Sequence, residues 1–309
     1  MSQPHATLAG RLDQNVVSKI LREFLTGTSL RETSMPVDGV NEELEMAMRA
    51  EMNARNLSAQ LERTLHLAAS LIELAYKGCT FSEKRNIALY NWYLIYVDDT
   101  ASRDMAPFVV FEQRFLRGLR QLDPVLDALA SVLLAMYDKY DTRSANSIIS
   151  ATFNFMSATC MESTIEALPL IEGALRFPWF LRDWTGVAVA FALMIFPKSQ
   201  GLDVAACFQV TADMNFWISA TNDILSFHKE NLAGERANYI FNRAYIEGTD
   251  VSEAMTDIKN ELFQTEKNIT AALTCAGVAD AIKAWKCFKV GYITWHLQQK
   301  RYKLHEFDL

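Results

Sequence analysis

The chain has 309 residues, of which 50% are hydrophobic and 22% charged, and its formal net charge is −7 at pH 7. An apolar content of this size supports a large buried core, so we expect one globular domain over residues 1–309. The acidic balance, together with the lack of any Lys/Arg run longer than two residues, argues against a nucleic-acid-binding surface.

Cellular location is predicted from three features of the sequence. The five cysteines lack metal-type spacing, which favours a reducing compartment. The N-terminus lacks the basic and apolar stretches of a signal peptide. The longest apolar run, over residues 187–196, is about half of the roughly 20 residues needed to span a bilayer. We therefore expect a cytoplasmic protein without stable membrane insertion.

Helical patterns follow one another along most of the chain. Glycine and proline are sparse and fall between these patterns, while alternating strand-like stretches with hairpin signals are absent from the sequence. The sequence therefore predicts an all-α fold, with residues 1–40 largely irregular. The predicted helices span about residues 41–56, 59–77, 83–99, 108–120, 124–139, 143–167, 178–196, 203–230, 236–247, 251–275 and 278–303.

The third predicted helix, over about residues 83–99, ends in an acidic cluster formed by Asp98 and Asp99. Carboxylates at the end of a buried helix are costly unless cations neutralise them, which predicts a cation site. Leu94 and Tyr90, four and eight residues before Asp98, are predicted to share its face and to line an apolar pocket. Asp104, six residues after Asp98, joins the cluster only if the chain unwinds before Pro107.

A second polar set lies at Asn222, Ser226 and Glu230, spaced four residues apart. On an α-helix these three side chains fall within about 80° of one face and along about 12 Å of the axis. An amide oxygen, a hydroxyl and a carboxylate suit Mg²⁺, which takes further ligands from water and from a substrate phosphate. This spacing therefore predicts a phosphorylated substrate. Asp223 lies about 100° from the stripe, where we expect a supporting or surface position.

Four segments resemble the motifs of class I terpene synthases, in particular those of the trichodiene synthase type. In chain order they are Val97-Asp98-Asp99, Phe180-Leu181-Arg182, Asn222 to Glu230, and Gly291 to Leu297 followed by Arg301-Tyr302. The aspartate-rich motif of that family commonly has another acid three to five residues after the first. Here those positions hold Ala101, Ser102 and Arg103, so the match is incomplete.

The resemblance implies a fold and an activity. The fold is the class I terpenoid synthase α-helical bundle, or barrel, around a central apolar cavity. The implied activity is that of a Mg²⁺-dependent sesquiterpene synthase, which ionises and cyclises farnesyl diphosphate to a hydrocarbon or alcohol and releases pyrophosphate. Three Mg²⁺ ions are implied, and their ligands would be Asp98, Asn222, Ser226 and Glu230. A homodimer and a lid that closes over the site are further implications.

The resemblance also assigns the other site residues. Arg182, Lys229, Arg301 and Tyr302 are expected to bind the diphosphate, because its oxygen atoms need fixed donors once water is excluded. We further expect Asp99 to pair with Arg301 in a closed state. The expected pocket wall consists of Tyr90, Tyr93, Leu94, Phe155, Ile218, Tyr292 and Trp295.

Two other functions compete with this interpretation. A chain-elongating prenyltransferase would use the same helices and metals, but it normally carries two aspartate-rich motifs. The second is replaced here by the set at Asn222, Ser226 and Glu230. A catalytically impaired helical scaffold is the other alternative, because the first motif lacks its later aspartate.

Overall fold

Helices form the regular secondary structure of the described residues, and no strand occurs among them, which confirms the all-α prediction. The computed structural model describes residues 12–28, 42–101, 103–166, 170–307 and 309, with the backbone alone for 162–166. The helices are α1 (Gln14–Gly27), α2 (Glu42–Ala54), α3 (Ser58–Leu61), α4 (Leu65–Ala75), α5 (Phe81–Thr100), α6 (Ala106–Val109), α7 (Phe111–Leu116), α8 (Pro124–Lys139), α9 (Thr142–Glu166), α10 (Phe177–Gly186), α11 (Ala188–Met194), α12 (Val204–Gln209), α13 (Thr211–Ala233), α14 (Tyr239–Glu247), α15 (Val251–Cys275) and α16 (Ala279–Gln298). Short 3₁₀ turns cover Glu62–Thr64, Lys198–Gln200, Lys300–Tyr302 and Leu304–Glu306.

Local sequence fixes the ends of the helices that carry the candidate site. Thr80 and Glu83 form a capping box at the start of α5, in which Glu83 Oε2 accepts a hydrogen bond from the Thr80 backbone at 2.8 Å. Helix α13 ends at Gly234, whose φ of 79° is readily adopted by glycine. Because α13 runs to Ala233, beyond the predicted end near residue 230, Glu230 lies within the helix.

Several predicted helices are interrupted. The one predicted over 178–196 breaks at Val187, a β-branched residue that adopts a strained φ of 45°. The one predicted over 203–230 divides at Val210. The helix predicted over 108–120 stops at Leu116, shortly before Gly118 turns with a φ of 64°. The apolar periodicity of the sequence continues through these interruptions, so it could not predict where the helices break.

Helix α1 lies inside the segment that the sequence predicted to be largely irregular. Asp13 caps it by accepting a hydrogen bond from the Asn15 backbone at 2.9 Å. The helix packs on α15, where the rings of Phe24 and Phe263 stack with centroids 6.3 Å apart. This helix was not among the predicted helices, and it fills the interval between the loops predicted at residues 1 to about 15 and 27–40. Residues 1–11 and 29–41 lie outside the described part of the chain.

Replacing Gly27 with alanine should weaken this contact between α1 and α15. A Cβ atom at Gly27 would lie 2.3 Å from Phe263 Cζ, so the ring must shift. We expect a loss of about 1–3 kcal/mol in the free energy of unfolding, measured by denaturant titration. Gly78→Ala is the control, because the nearest atom to its Cβ would be Gln200 Nε2 at 3.9 Å. Equal stability of the two variants would contradict the prediction.

The long helices pack around a central cavity. Helix α4 packs on α5 and α16, and α13 packs on α11 and α15. A close backbone crossing joins α4 to α16, since a Cβ at Gly291 would lie 2.0 Å from the carbonyl oxygen of Leu74. No single helix in the described ranges has the length and apolarity to cross a membrane, although the bent pair Phe177–Gly186 and Ala188–Gln200 meets those criteria together.

Candidate active site

One cavity of about 810 Å³ brings together most of the residues that the sequence singled out. They come from α5, α10, α13 and α16 and from the 3₁₀ turn Lys300–Tyr302. These residues are Leu94, Asp98, Arg182, Ile218, Asn222, Ser226, Lys229, Glu230, Tyr292, Trp295, Arg301 and Tyr302, and Phe155 from α9 also lines the cavity. Segments that are more than 200 residues apart in the chain therefore meet at one site.

The polar stripe on α13 lines the cavity as its spacing predicted. Ser226 is buried, and its Oγ has no hydrogen-bond partner among the described residues. Asn222 and Glu230 are half-buried. Glu230 Oε2 accepts a hydrogen bond from Asn238 Nδ2 at 2.8 Å, and Glu230 Oε1 lies 3.8 Å from Lys229 Nζ. The stripe thus presents an amide, a hydroxyl and a carboxylate to one space.

The acidic end of α5 contributes Asp98 to the same cavity. Its carboxylate is open to the cavity mouth but is otherwise surrounded by protein. This desolvation is the main cause that raises the pKa of Asp98, and the negative charge of Asp99 is the second. Asp99 is exposed and forms no ion pair with Arg301 in the described structure. Its closed-state pairing stays a prediction. Asp104 is exposed, does not line the cavity and accepts a hydrogen bond from the Ala106 backbone at 3.1 Å.

Arg182 is held by a buried carboxylate. Its Nε donates to both oxygen atoms of Asp223, at 2.8 and 2.9 Å, and its Nη2 donates to the Ser219 carbonyl oxygen at 3.2 Å. Asp223 therefore supports Arg182 and does not lie at the surface. Burial raises the pKa of Asp223 to about 6, although the charge of Arg182 acts in the opposite direction. Burial also lowers the pKa of Arg182, but the interactions with Asp223 more than offset this, so the pKa of Arg182 is raised. Both groups are charged at neutral pH.

Asn222 interacts with groups from three other elements, one of which is the Tyr302 hydroxyl of the 3₁₀ turn. Arg182 Nη2 lies 3.3 Å from Asn222 Oδ1, and His296 Nε2 lies 3.1 Å from Asn222 Nδ2. His296 is completely buried on α16, and this burial lowers its pKa to about 4. Sequence reasoning did not identify His296 as a site residue. The sequence feature that could have indicated it is its position next to Trp295, within the segment Gly291 to Leu297 that resembles the family motif.

Cationic groups surround the mouth of the cavity. The Arg301 side chain is exposed, with its guanidinium carbon 5.6 Å from the ring centroid of Tyr302. Lys229 approaches from α13. The sequence interpretation missed Arg236, which lines the cavity and places its guanidinium carbon 4.6 Å from the Phe241 ring centroid. With Arg182, these groups surround the polar end of the cavity with positive charge, which suits an anionic ligand.

The prediction that Tyr90 and Tyr93 line the pocket is wrong. Both belong to α5 and are buried in the core, and the Tyr90 hydroxyl lies 2.9 Å from Thr152 Oγ1. The reason is helical geometry: Tyr90 and Tyr93 lie about 80° and 140° around α5 from Asp98, whereas Asn91 lies only about 20° away. Asn91 accordingly lines the cavity.

The remaining apolar wall comes from α4, α5, α10 and α11 and from Val187, which lies between α10 and α11. Ring contacts support it from behind, since Tyr90 packs edge-on against Phe191 with centroids 6.2 Å apart. Tyr292 donates from its hydroxyl to the Ile218 carbonyl oxygen at 3.3 Å, which joins α16 to α13. The apolar lining residues that the sequence interpretation missed are Leu71, Ile95, Leu181, Val187 and Phe191.

Comparison with known proteins identifies the family. The profile of the family described as Trichodiene synthase (TRI5) matches residues 42–308. Terpene synthase BipA of Cochliobolus sativus is 32% identical over 295 residues, which are 95% of this chain and 90% of that protein. Monoterpene synthase 25 of Postia placenta is 30% identical over 291 residues, covering 93% of this chain and 85% of that protein.

Solved structures show the same fold. The linalool/nerolidol synthase of Streptomyces clavuligerus, in complex with 2-fluorogeranyl diphosphate, superposes with a TM-score of 0.64 at 12% identity. The superposition covers 82% of this chain and 98% of that one. The class I terpenoid synthase fold is thereby confirmed. The profile match and the relatives show that this chain belongs to the trichodiene synthase family and is a terpene cyclase.

Proposed function

We propose that this terpene cyclase is a Mg²⁺-dependent sesquiterpene synthase. It would ionise and cyclise farnesyl diphosphate to a hydrocarbon or alcohol and release pyrophosphate. The observation that carries the proposal is the placement of Asn222, Ser226 and Glu230 in the same cavity as Asp98, beside an apolar wall. The resemblance to trichodiene synthases supports the farnesyl chain length. A volume of about 810 Å³ lies within the range of about 300–1,000 Å³ found for ligand pockets.

The donor set fits a cation that binds oxygen atoms. Ser226 Oγ is a buried polar atom without a hydrogen-bond partner among the described residues, and a cation would satisfy it. Asn222, Glu230 and Asp98 add an amide and two carboxylate groups, which Mg²⁺ accepts together with water. No group of three or more His, Cys, Asp or Glu side chains in the described ranges is placed to hold a metal ion. The proposed site therefore depends on the amide, on the hydroxyl and on diphosphate oxygens. Mg²⁺ bound there would supply positive charge that stabilises the departing diphosphate.

Four side chains would hold the diphosphate itself. Arg182, Lys229 and Arg301 carry fixed positive charge, and Tyr302 offers a buried phenol whose pKa is raised by burial, so that it stays protonated as a donor. The Asp223 contact fixes the orientation of the Arg182 guanidinium. Charge-assisted hydrogen bonds of this kind are stronger than neutral ones and also orient the ligand.

The apolar wall would control the carbocation. Phe155, Phe191, Tyr292 and Trp295 supply aromatic rings to the lining, and ring faces attract a cation that water would otherwise quench. Gly234 to Asn238 also line the cavity, and we propose that this segment closes over the bound diphosphate.

The proton lost at the end of the reaction would pass to a diphosphate oxygen, either directly or through a polar wall group, for which Ser219 and Asn215 are the candidates. Ser219 Oγ is buried without a hydrogen-bond partner among the described residues, and Ser219 lines the cavity. Asn215, one turn earlier on α13, does not line it and donates instead to Asp183 at 2.5 Å. We therefore favour Ser219 over Asn215 as the polar wall group for this step.

Incubation of the purified chain with farnesyl diphosphate and Mg²⁺ tests the proposal. We expect pyrophosphate release and one or a few C15 volatiles, identified by mass spectrometry. Parallel reactions with the C10 and C20 diphosphates define chain-length preference, and the C10 substrate matters because one relative is a monoterpene synthase by name. Omission of Mg²⁺ should abolish release.

The rival functions give different results in the same assay. A catalytically impaired scaffold would release no pyrophosphate from any of the three substrates. A chain-elongating prenyltransferase would release it only when isopentenyl diphosphate is added, and its product would be a longer prenyl diphosphate. Either result would contradict the proposed cyclisation of farnesyl diphosphate.

A further inference from the structure

The Asn222 side chain has three polar neighbours, Arg182, His296 and the Tyr302 hydroxyl, and the first two define the orientation of its amide. Arg182 Nη2 lies 3.3 Å from one end of the amide, and His296 Nε2 lies 3.1 Å from the other. A guanidinium can only donate hydrogen bonds, so the amide atom that faces Arg182 must be the oxygen. The amide nitrogen then faces His296. The opposite orientation would bring two donors together beside Arg182.

The His296 ring is fixed in one tautomer by its own helix. Nδ1 lies 2.8 Å from the backbone carbonyl oxygen of Tyr292, one turn earlier in α16. Because a carbonyl oxygen only accepts hydrogen bonds, Nδ1 carries the proton. Nε2 therefore presents its lone pair to the Asn222 amide, which donates to it.

Aromatic rings hold His296 in place on three sides. The ring is completely buried, and its centroid lies 4.6 Å from that of Tyr292, 4.9 Å from that of Trp295 and 4.6 Å from that of Tyr302. Rotation of the imidazole would require these rings to move as well. His296 is thus a rigid acceptor behind Asn222, and it does not itself line the cavity.

We propose that His296 is a positioning residue, whose Nε2 holds the Asn222 amide so that Oδ1 faces the cavity and can bind a divalent cation. The inference rests on the proposed metal-binding role of Asn222. An amide oxygen has two lone pairs, so Oδ1 can accept a hydrogen bond from Arg182 and still bind an ion. Groups behind a ligand that orient it typically contribute 10- to 100-fold to metal affinity, which is about the effect expected here.

Mg²⁺ binding in the presence of inorganic pyrophosphate, measured by calorimetry, provides the first test. We expect His296→Phe to raise the apparent dissociation constant for Mg²⁺ by about 10- to 100-fold. His296→Gln should restore part of the affinity, because its side-chain oxygen can accept the amide hydrogen bond. His66→Phe is the matched control, since the His66 side chain is 68% exposed, and it should leave the affinity unchanged. Unchanged affinity in His296→Phe would overturn the proposal.

A double substitution distinguishes positioning from general damage to the fold. In an Asn222→Asp background the two carboxylate oxygens are equivalent, so no acceptor is needed to orient them. There, His296→Phe should change Mg²⁺ affinity by less than about 3-fold, because the coupling between the two residues has been removed. A full 10- to 100-fold loss in that background would show that His296 acts by another route.

Nitrogen NMR of the metal-free wild-type protein, labelled at its histidines, tests the contact without any catalysis. We expect His296 to carry its proton on Nδ1 and to shift its Nε2 resonance in Asn222→Ala. A proton on Nε2 would overturn the inference. The two proposals fail separately: a wild type that releases no pyrophosphate contradicts the proposed function, whereas an active wild type with an unaffected His296→Phe variant contradicts only the positioning role.

Discussion

Asp98→Asn is expected to lower the rate of pyrophosphate release by about 100- to 1,000-fold at saturating farnesyl diphosphate and Mg²⁺. The substitution keeps the shape of the side chain but removes a negative charge from the proposed cation site. Loss of one electrostatic group in a preorganised site commonly costs about this much. The measurement is a steady-state pyrophosphate assay over a range of Mg²⁺ concentrations, in which the apparent affinity for Mg²⁺ should also fall.

The matched control is Asp104→Asn, which makes the same chemical change six residues later. Asp104 is exposed and does not line the cavity, and asparagine can still accept the hydrogen bond from the Ala106 backbone. Its activity should stay within about 2-fold of the wild type, as expected of a surface change. Equal losses in the two variants would contradict the specific role of Asp98.

A stability measurement separates lost catalysis from lost folding in Asp98→Asn. The folded-state pKa of Asp98 is raised by desolvation and by Asp99, so ionisation is less favourable in the folded chain than in the unfolded chain. Removing the charge should therefore leave the metal-free melting temperature unchanged or slightly higher. A marked fall in that temperature would instead attribute the lost activity to unfolding.

Features confined to one helix could be predicted from the sequence. The stripe at Asn222, Ser226 and Glu230 depends only on steps of four residues, and the structure places all three residues in the cavity. The same reasoning failed for Tyr90, although its step from Asp98 equals that between Asn222 and Glu230. The stripe of α5 that lines the cavity consists of Asn91, Leu94, Ile95 and Asp98, and Tyr90 lies about 90° around the helix from its middle.

Contacts between distant segments could not be predicted in this way. Asp223 binds Arg182 across 41 residues, and Asn222 meets His296 across 74, so nothing in local periodicity links them. The break at Val187 was equally hidden, because the apolar run continues through it and valine rarely adopts a positive φ. The resemblance to a known family located Arg182, but only the fold shows what holds it.

Arg182→Leu is expected to destabilise the chain by about 3–5 kcal/mol at pH 8, because it leaves the Asp223 carboxylate buried without its partner. The loss should be smaller at pH 5. Burial raises the folded-state pKa of Asp223 to about 6, so below that pH the group is largely protonated and contributes little charge to the pair. The cost of losing Arg182 therefore grows as the pH rises through about 6.

Denaturant unfolding at pH 5, 6.5 and 8 measures this dependence. Arg49→Leu is the control, since Arg49 pairs with Glu62 at the surface, where both side chains are 47% exposed and the pair contributes at most about 1 kcal/mol. Replacing Arg182 and Asp223 together with leucine should recover much of the stability at pH 8, because no unpaired charge then remains buried. A loss in Arg182→Leu that is the same at all three pH values would contradict the assignment, since it would arise from packing and not from the charge on Asp223.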